Sequence, residues 1–245
     1  MKSEQLTPSW YLINSHQLWA RWFNIIHWPY LNWHLSYPLL GIALAQEVQW
    51  GLVPYVVLAF FLGMGIAAHC FDLLRGDPLR LGLPRAQLWT VGLISLAGAC
   101  GIGLWKVADG SVSYWLLGLI PLGALLALGY GLEWPGFHGD WQFAAWWAVF
   151  PMVVGYLAMG IALDPILPLG CLFAYATATA QRILSSRTRF LRRVVRELTT
   201  TGRVGGNHMV WGVNWVLGPL DGALAIFRLA LPLLALTLLL ERALR

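Results

Sequence analysis

The chain is 245 residues long, 58% of them apolar and only 11% charged, a balance that excludes a soluble globular domain of this length. The formal net charge of +5 is concentrated in two loops and does not mark a nucleic-acid-binding surface. What remains is a polytopic membrane protein, and most of its 15 Trp stand at the ends of apolar runs, where an amphipathic ring prefers the headgroup zone.

In chain order, the polar start Met1–Gln5 is not followed by a short apolar run with a small-residue cleavage site, so no cleaved signal peptide is expected. Residues 9–35 carry Trp10, Trp19, Trp22, Trp28 and Trp33 among His16, Arg21, His27 and His34. That mixture reads as an amphipathic segment lying in the interface. It divides the chain into an interfacial N-terminal segment, 1–32, and a single transmembrane helical domain, 33–245. Pro29 is expected to bend the entry to the first span.

Apolar runs follow at about 35–48, 52–73, 87–105, 113–132, 142–163, 165–184 and 221–240. Each is near the roughly 20 residues that cross a bilayer, the first once it includes Trp33 to Leu35. Residues 205–219, with Gly205, Gly206, Gly212, Gly218 and Pro219, make a poor uninterrupted helix. They read as a re-entrant or surface segment or as part of an eighth span. The expected fold class is therefore an all-α polytopic membrane protein of seven to eight transmembrane helices. Cys70, Cys100 and Cys171 are isolated in or beside apolar runs, without metal-ligand spacing, and read as small packing residues.

The chemistry concentrates where the second run ends, in Gly65-Ile66-Ala67-Ala68-His69-Cys70-Phe71-Asp72-Leu73-Leu74-Arg75-Gly76-Asp77-Pro78-Leu79-Arg80. His69 and Asp72 are three residues apart and share a helix face. Gly76, and Pro78 acting on Asp77, should end the helix near Arg75. Ionisable groups at the end of an apolar helix mark a functional site by default. The competing reading is a helix end anchored by charges at the headgroups.

Orientation follows from the arginines, since cytoplasmic loops carry the basic excess. Arg75, Arg80 and Arg85 follow the second run, and Arg182, Arg187, Arg189, Arg192, Arg193, Arg196 and Arg203 follow the sixth. The alternate loops hold Glu47, then Lys106 with Asp109, then Asp164. Loops 74–86, 133–141 and 185–204 and the N-terminus are thus expected on the cytoplasmic side of the inner membrane. Phe190, Leu191, Val194, Val195 and Leu198 recur at helical spacing between arginines, which predicts a basic amphipathic helix on the inner leaflet. It serves either as a topology determinant touching anionic lipid or as a diphosphate clamp over a cavity. Trp141, Trp146 and Trp147, beside Phe143, read as an interfacial belt or as the lining of an isoprenoid tunnel.

The order of these elements resembles the UbiA-type intramembrane prenyltransferases over about residues 25–200. The entry His27-Trp28-Pro29-Tyr30 runs into Tyr37-Pro38-Leu39-Leu40-Gly41, similar to that family's first span. The second run ends where the family has an Asn-Asp-x-x-Asp motif; here Ala68 and His69 replace Asn-Asp, Asp72 matches the next Asp, and Asp77 is displaced by one residue. Tyr130-Gly131-Leu132-Glu133-Trp134, Gly139-Asp140 and Phe150-Pro151-Met152-Val153-Val154-Gly155-Tyr156 resemble the fourth loop and fifth span. The second carboxylate motif is missing, since Thr177-Ala178-Thr179-Ala180-Gln181-Arg182-Ile183-Leu184-Ser185-Ser186-Arg187 holds no acid.

The resemblance implies a UbiA-like helical bundle that transfers a prenyl group from a polyprenyl diphosphate to a lipophilic acceptor at the cytoplasmic face. It implies magnesium on Asp72 and Asp77, catalytic roles for His69, Asp72 and Asp77, and diphosphate binding by Arg75, Arg80, Arg85, Gln181, Arg182 and Arg187. Guanidinium forks are chemically able to replace a second metal ion, and His69, oriented by Asp72, is able to act as a base. The missing motif favours the alternative, a non-catalytic relative that binds an isoprenoid, quinone or pigment or serves as a subunit of a larger membrane complex. Membrane lipids and an isoprenoid or polyprenyl diphosphate are the expected partners.

Overall fold

The computed structural model describes residues 9, 11–13, 17–160 and 164–245. Met1–Gln5, Trp10 and His16 of the N-terminal reading lie outside these residues, as do 161–163 at the end of the fifth apolar run. The protein is mostly helical. A short helix α1, Leu18–Ile25, leads to His27, whose backbone is left-handed with φ 48°. This turn delivers the chain into α2, Trp28–Leu44, with Pro29 in its first turn, where a fixed φ and a missing N–H cost nothing. α2 therefore begins ahead of residue 33, inside the segment assigned to the interface.

The later apolar runs each become a helix: α3 Val53–Arg75, α4 Arg85–Ala108, α5 Leu116–Gly131, α6 Asp140–Met159, α7 Ile166–Arg193 and α8 Val213–Leu244. Among the described residues, four of these helices, α3, α4, α6 and α8, are long and apolar enough to cross a membrane. Two carry wide turns: Phe61–Ala68 in α3 and Ala145–Val149 in α6 are π-helical.

The helices pack through small residues, which allow the close approach that helix association in lipid requires. α2 and α6 meet at a pair of glycines. A Cβ on Gly41 would lie 2.1 Å from the Met152 carbonyl oxygen, and one on Gly155 would lie 2.2 Å from that of Pro38. Trp33, Tyr37 and Leu40 of α2 bury themselves against Ala144, Ala148 and Met152 of α6, Ala174 and Ala178 of α7, and Leu231 and Ala235 of α8. At one end of the bundle Arg242 of α8 donates to the carbonyls of Ala45 and Gln46, while the Gln49 side chain donates to the Met159 carbonyl at 3.0 Å.

The segment between α7 and α8 departs from the sequence reading in two ways. The amphipathic helix is no separate element: α7 continues through Arg193, and Val194 to Leu198 are not helical. Thr199–Val204 and Asn207–Gly212 then form a two-stranded antiparallel hairpin, β1 and β2. Its turn is Gly205–Gly206, both with positive φ (56° and 84°), as a two-residue hairpin turn demands. Those glycines read from sequence as helix breakers, and the β-branched Thr199, Thr200 and Thr201 supply the strand. α8 then runs uninterrupted through Gly218 and Pro219, because neighbouring groups make proline tolerable inside a membrane helix.

Candidate functional site

The end of the bundle opposite Arg242 encloses a polar cavity of about 330 Å³. Its wall is drawn from distant parts of the chain: the α1–α2 turn, the ends of α3, α5 and α7, and the start of α6. Pro78, Glu133 with His138, and Arg189 with Arg193 line it together, so the three Arg-rich or polar loops converge there.

Four imidazoles line this cavity, and hydrogen bonds set three of their tautomers. Nδ1 of His69 donates to the Gly65 carbonyl at 2.9 Å, that of His34 to the Trp147 carbonyl at 3.0 Å and that of His138 to the Tyr130 carbonyl at 3.2 Å. A carbonyl only accepts, so in each neutral ring Nε2 carries the lone pair. His27 differs: its Nδ1 lies 2.7 Å from the Tyr11 hydroxyl, and its ring stacks on His69. Burial pushes the His27 imidazole well below its ordinary pKa, and His69, Arg193 and Arg189 act in the same direction. Burial, reinforced by neighbouring Tyr30, likewise raises the Tyr11 hydroxyl.

The cavity's positive charge comes from one stripe of α7, where Arg182, Arg189 and Arg193 recur at helical spacing and all line the wall. Each is held. Arg182 Nε donates to Asp140 at 2.9 Å and its guanidinium lies 5.2 Å from the Phe143 ring centroid. Arg189 donates to the Ser186 hydroxyl at 3.1 Å, and Arg193 reaches the Ser9 hydroxyl at 3.5 Å. The carboxylates facing them are Asp72 and Glu133, the latter with Arg75 at 3.8 Å.

A second cavity of about 140 Å³ adjoins the first, with an almost wholly apolar lining contributed by α3, α4, α5 and α6. Met64 and Trp147 belong to both walls. These two side chains come from the two π-helical segments, so the widened turns meet at the boundary between the compartments. Such turns frequently mark functional sites. Trp147 packs edge-on against Tyr130 with centroids 5.0 Å apart. Trp146 lines the apolar compartment, whereas Trp141 is exposed. The wall also includes Lys106, whose ammonium sits 2.8 Å from Asp109 and over the rings of Tyr55 and Trp105. That partner draws the Asp109 carboxyl down to about 2.

The structure brings together His69, Asp72, Gln181 and Arg182, and holds other sequence candidates away. The Asp77 carboxylate accepts the Gly82 N–H at 2.7 Å, closing its own loop. Arg85 donates to the Leu74 carbonyl at 2.7 Å, one of the acceptors that the end of α3 leaves open. Arg80, with φ 58°, and Arg187 are exposed, and Arg75 reaches the cavity only through Glu133. His69 and Asp72 share a face without a hydrogen bond between them among the described contacts; the Gly65 carbonyl orients the ring. Tyr11, Tyr30, His27, His34, Tyr130 and His138 join the wall without having been singled out as site residues in the sequence.

The donor set does not fit the paired magnesium cluster that the resemblance implies. Magnesium demands several oxygen ligands in near-octahedral array. Asp77 is turned to its loop, Asp140 is held by Arg182, and Gln181 with Arg182 occupies the place of the second motif. Among the described residues no group of three or more His, Cys, Asp or Glu is arranged to hold a metal ion.

Compared with protein-family models, with curated proteins and with solved structures, the chain finds no match.

Proposed function

We propose that this chain is a seven-span, UbiA-like membrane protein that transfers a prenyl group from a polyprenyl diphosphate to a lipophilic acceptor at the cytoplasmic face of the inner membrane. The observation that supports this reading best is the pair of adjoining compartments: a polar chamber lined by three arginines shares Met64 and Trp147 with the wall of an apolar one. An amphiphile with an anionic head and a long hydrocarbon tail matches both at once. In this reading the allylic carbon–oxygen bond breaks heterolytically and its electron pair leaves on the diphosphate oxygen, opposite the guanidinium groups. The acceptor nucleophile then bonds to the allylic carbon and gives its proton to Nε2 of His69, whose Nδ1–H is engaged by Gly65. Asp72, on the same helix face, stabilises the imidazolium so formed.

The alternative is a non-catalytic protein that holds an isoprenoid, quinone or pigment, and the absence of acids along the Gln181–Arg182 stretch favours it. Purified protein incubated with a panel of labelled polyprenyl diphosphates and aromatic acceptors separates the two. Pyrophosphate release with prenylated product supports transfer. No release from any of them, by folded protein that retains a bound isoprenoid or pigment, leaves only the binding role.

A further inference from the structure

We infer that the polar cavity holds a diphosphate group without any divalent cation, in a clamp made by Arg182, Arg189 and Arg193. The inference rests on the prenyl-diphosphate reading above and departs from the magnesium dependence that the resemblance implies.

On this stripe of α7 Arg182 is paired with Asp140 and, across the cavity, Glu133 faces Arg75, which leaves Asp72 of the described wall carboxylates to oppose both Arg189 and Arg193. An anionic ligand resolves that imbalance. The anchors leave binding capacity: Arg182 spends Nε on Asp140 and keeps both terminal nitrogens, and Arg189 uses Nη2 on Ser186. A guanidinium presents five N–H donors in a planar fork that matches phosphate oxygens and stays charged. Held in place before the ligand arrives, these forks stabilise the charge that grows on a departing diphosphate, the task a metal otherwise performs. Two of the nearby carboxylates are engaged elsewhere, Asp77 by Gly82 and Asp140 by Arg182, and Asp72 and Glu133 of the wall belong to no group of three or more metal-ligating side chains among the described residues.

The test is equilibrium binding of labelled inorganic pyrophosphate and of farnesyl diphosphate to the detergent-solubilised full chain, in excess EDTA and in magnesium. The expected result is the same affinity in both buffers, with Arg189→Gln and Arg193→Gln each weakening binding by about tenfold or more, the scale of a lost charge-assisted fork. Thermal unfolding checks that each variant is folded. Arg189→Lys keeps the charge but not the fork and should fall between; the EDTA comparison on the unaltered chain needs no variant. Binding that appears only with magnesium overturns the metal-free clamp and leaves the prenyl-diphosphate reading intact. Unchanged affinity in folded Arg189→Gln and Arg193→Gln overturns the assignment of the clamp. Displacement of pyrophosphate by phosphatidylglycerol micelles as readily as by unlabelled pyrophosphate makes this a lipid-phosphate site and overturns the diphosphate assignment. Absence of binding by either probe in both buffers overturns the inference and the prenyl-diphosphate reading together.

Discussion

The imidazoles of His27 and His69 lie face to face, with centroids 4.6 Å apart and planes 2° from parallel. Two rings so placed do not both carry a proton at modest cost. His27 is held neutral by burial, with its folded pKa well below the ordinary value. The stability it contributes is fully present above the unfolded pKa of about 6.5 and is lost as the pH falls from there through the folded value, because the unfolded chain takes up the proton first. Each pH unit in that window removes up to about 1.4 kcal/mol. Thermal unfolding at pH 7.5 and 5.5 should show the drop, and His27→Asn, which tolerates a left-handed backbone, should reduce it. An unchanged pH profile in the variant would remove His27 as the cause.

Asp72→Asn keeps the shape of the side chain and removes its charge. Under the transfer reading turnover should fall by about a hundredfold, the scale seen when one preorganised electrostatic group is lost. Pyrophosphate should bind at least as tightly, because a negative charge has left an anion cavity. Weakened pyrophosphate binding in this variant would contradict the role given to Asp72.

Gly155→Ala places a methyl group against the Pro38 carbonyl, in backbone that has no rotamer to yield. The expected cost is about 1–3 kcal/mol or more, as for other overpacked contacts, read as a lower unfolding temperature in detergent. Gly118→Ala, which meets nothing within 4 Å, is the control and should unfold with the unaltered chain.

Trp146 lines the apolar compartment, and its indole N–H is buried without a hydrogen-bond partner among the described residues. An orphaned buried donor costs about 1–3 kcal/mol, so Trp146→Phe should be tolerated, the relief offsetting lost contact area. Trp146→Ala should reduce co-purifying isoprenoid. Lipid content and stability both unaltered in the alanine variant would end the assignment of this compartment as a tail site.

In a cysteine-free background, Arg80→Cys should resist an impermeant thiol reagent added to intact cells, whereas Ser111→Cys should react. The opposite pattern would invert the orientation deduced from the arginines.

The helices were legible because long apolar runs leave few alternatives at that length, and the end of α3 at Arg75 followed from Gly76 and Pro78. The cavity was legible only where its residues adjoin in sequence, as with His69 and Asp72. Nearness along the chain misled for Asp77 and Arg85, whose polar atoms satisfy the loop and the helix end beside them. For Arg189 and Arg193 the sequence leaves contact with anionic lipid and a clamp over a cavity both open, because the alternation of apolar and basic residues does not say which face meets protein. The continuation of α7 turns that stripe onto the cavity. Tyr11, His27 and Tyr130 had no local signal, since each gains its role from a partner remote in sequence.

The π-helical stretches in α3 and α6 impose a registry on every residue that follows them. A π turn accommodates one residue more than an α turn, so deleting a single residue between Phe61 and Ala68 would let α3 regularise into an ordinary helix. Everything downstream would then keep its face, because the wide turn absorbs its extra residue without carrying the helix a further step about the axis. His69 and Asp72 would stay on the chamber's side, the helix would stay long and apolar enough to insert, and what would be lost is the widened turn that carries Met64. Such a one-residue deletion should yield a protein that assembles in the membrane with His69 and Asp72 in place but the turn at Met64 narrowed, separating the role of that turn from the role of the residues beyond it. Homologous chains that shed the extra residue would keep these side chains on the same face and give up only the wide turn beneath them.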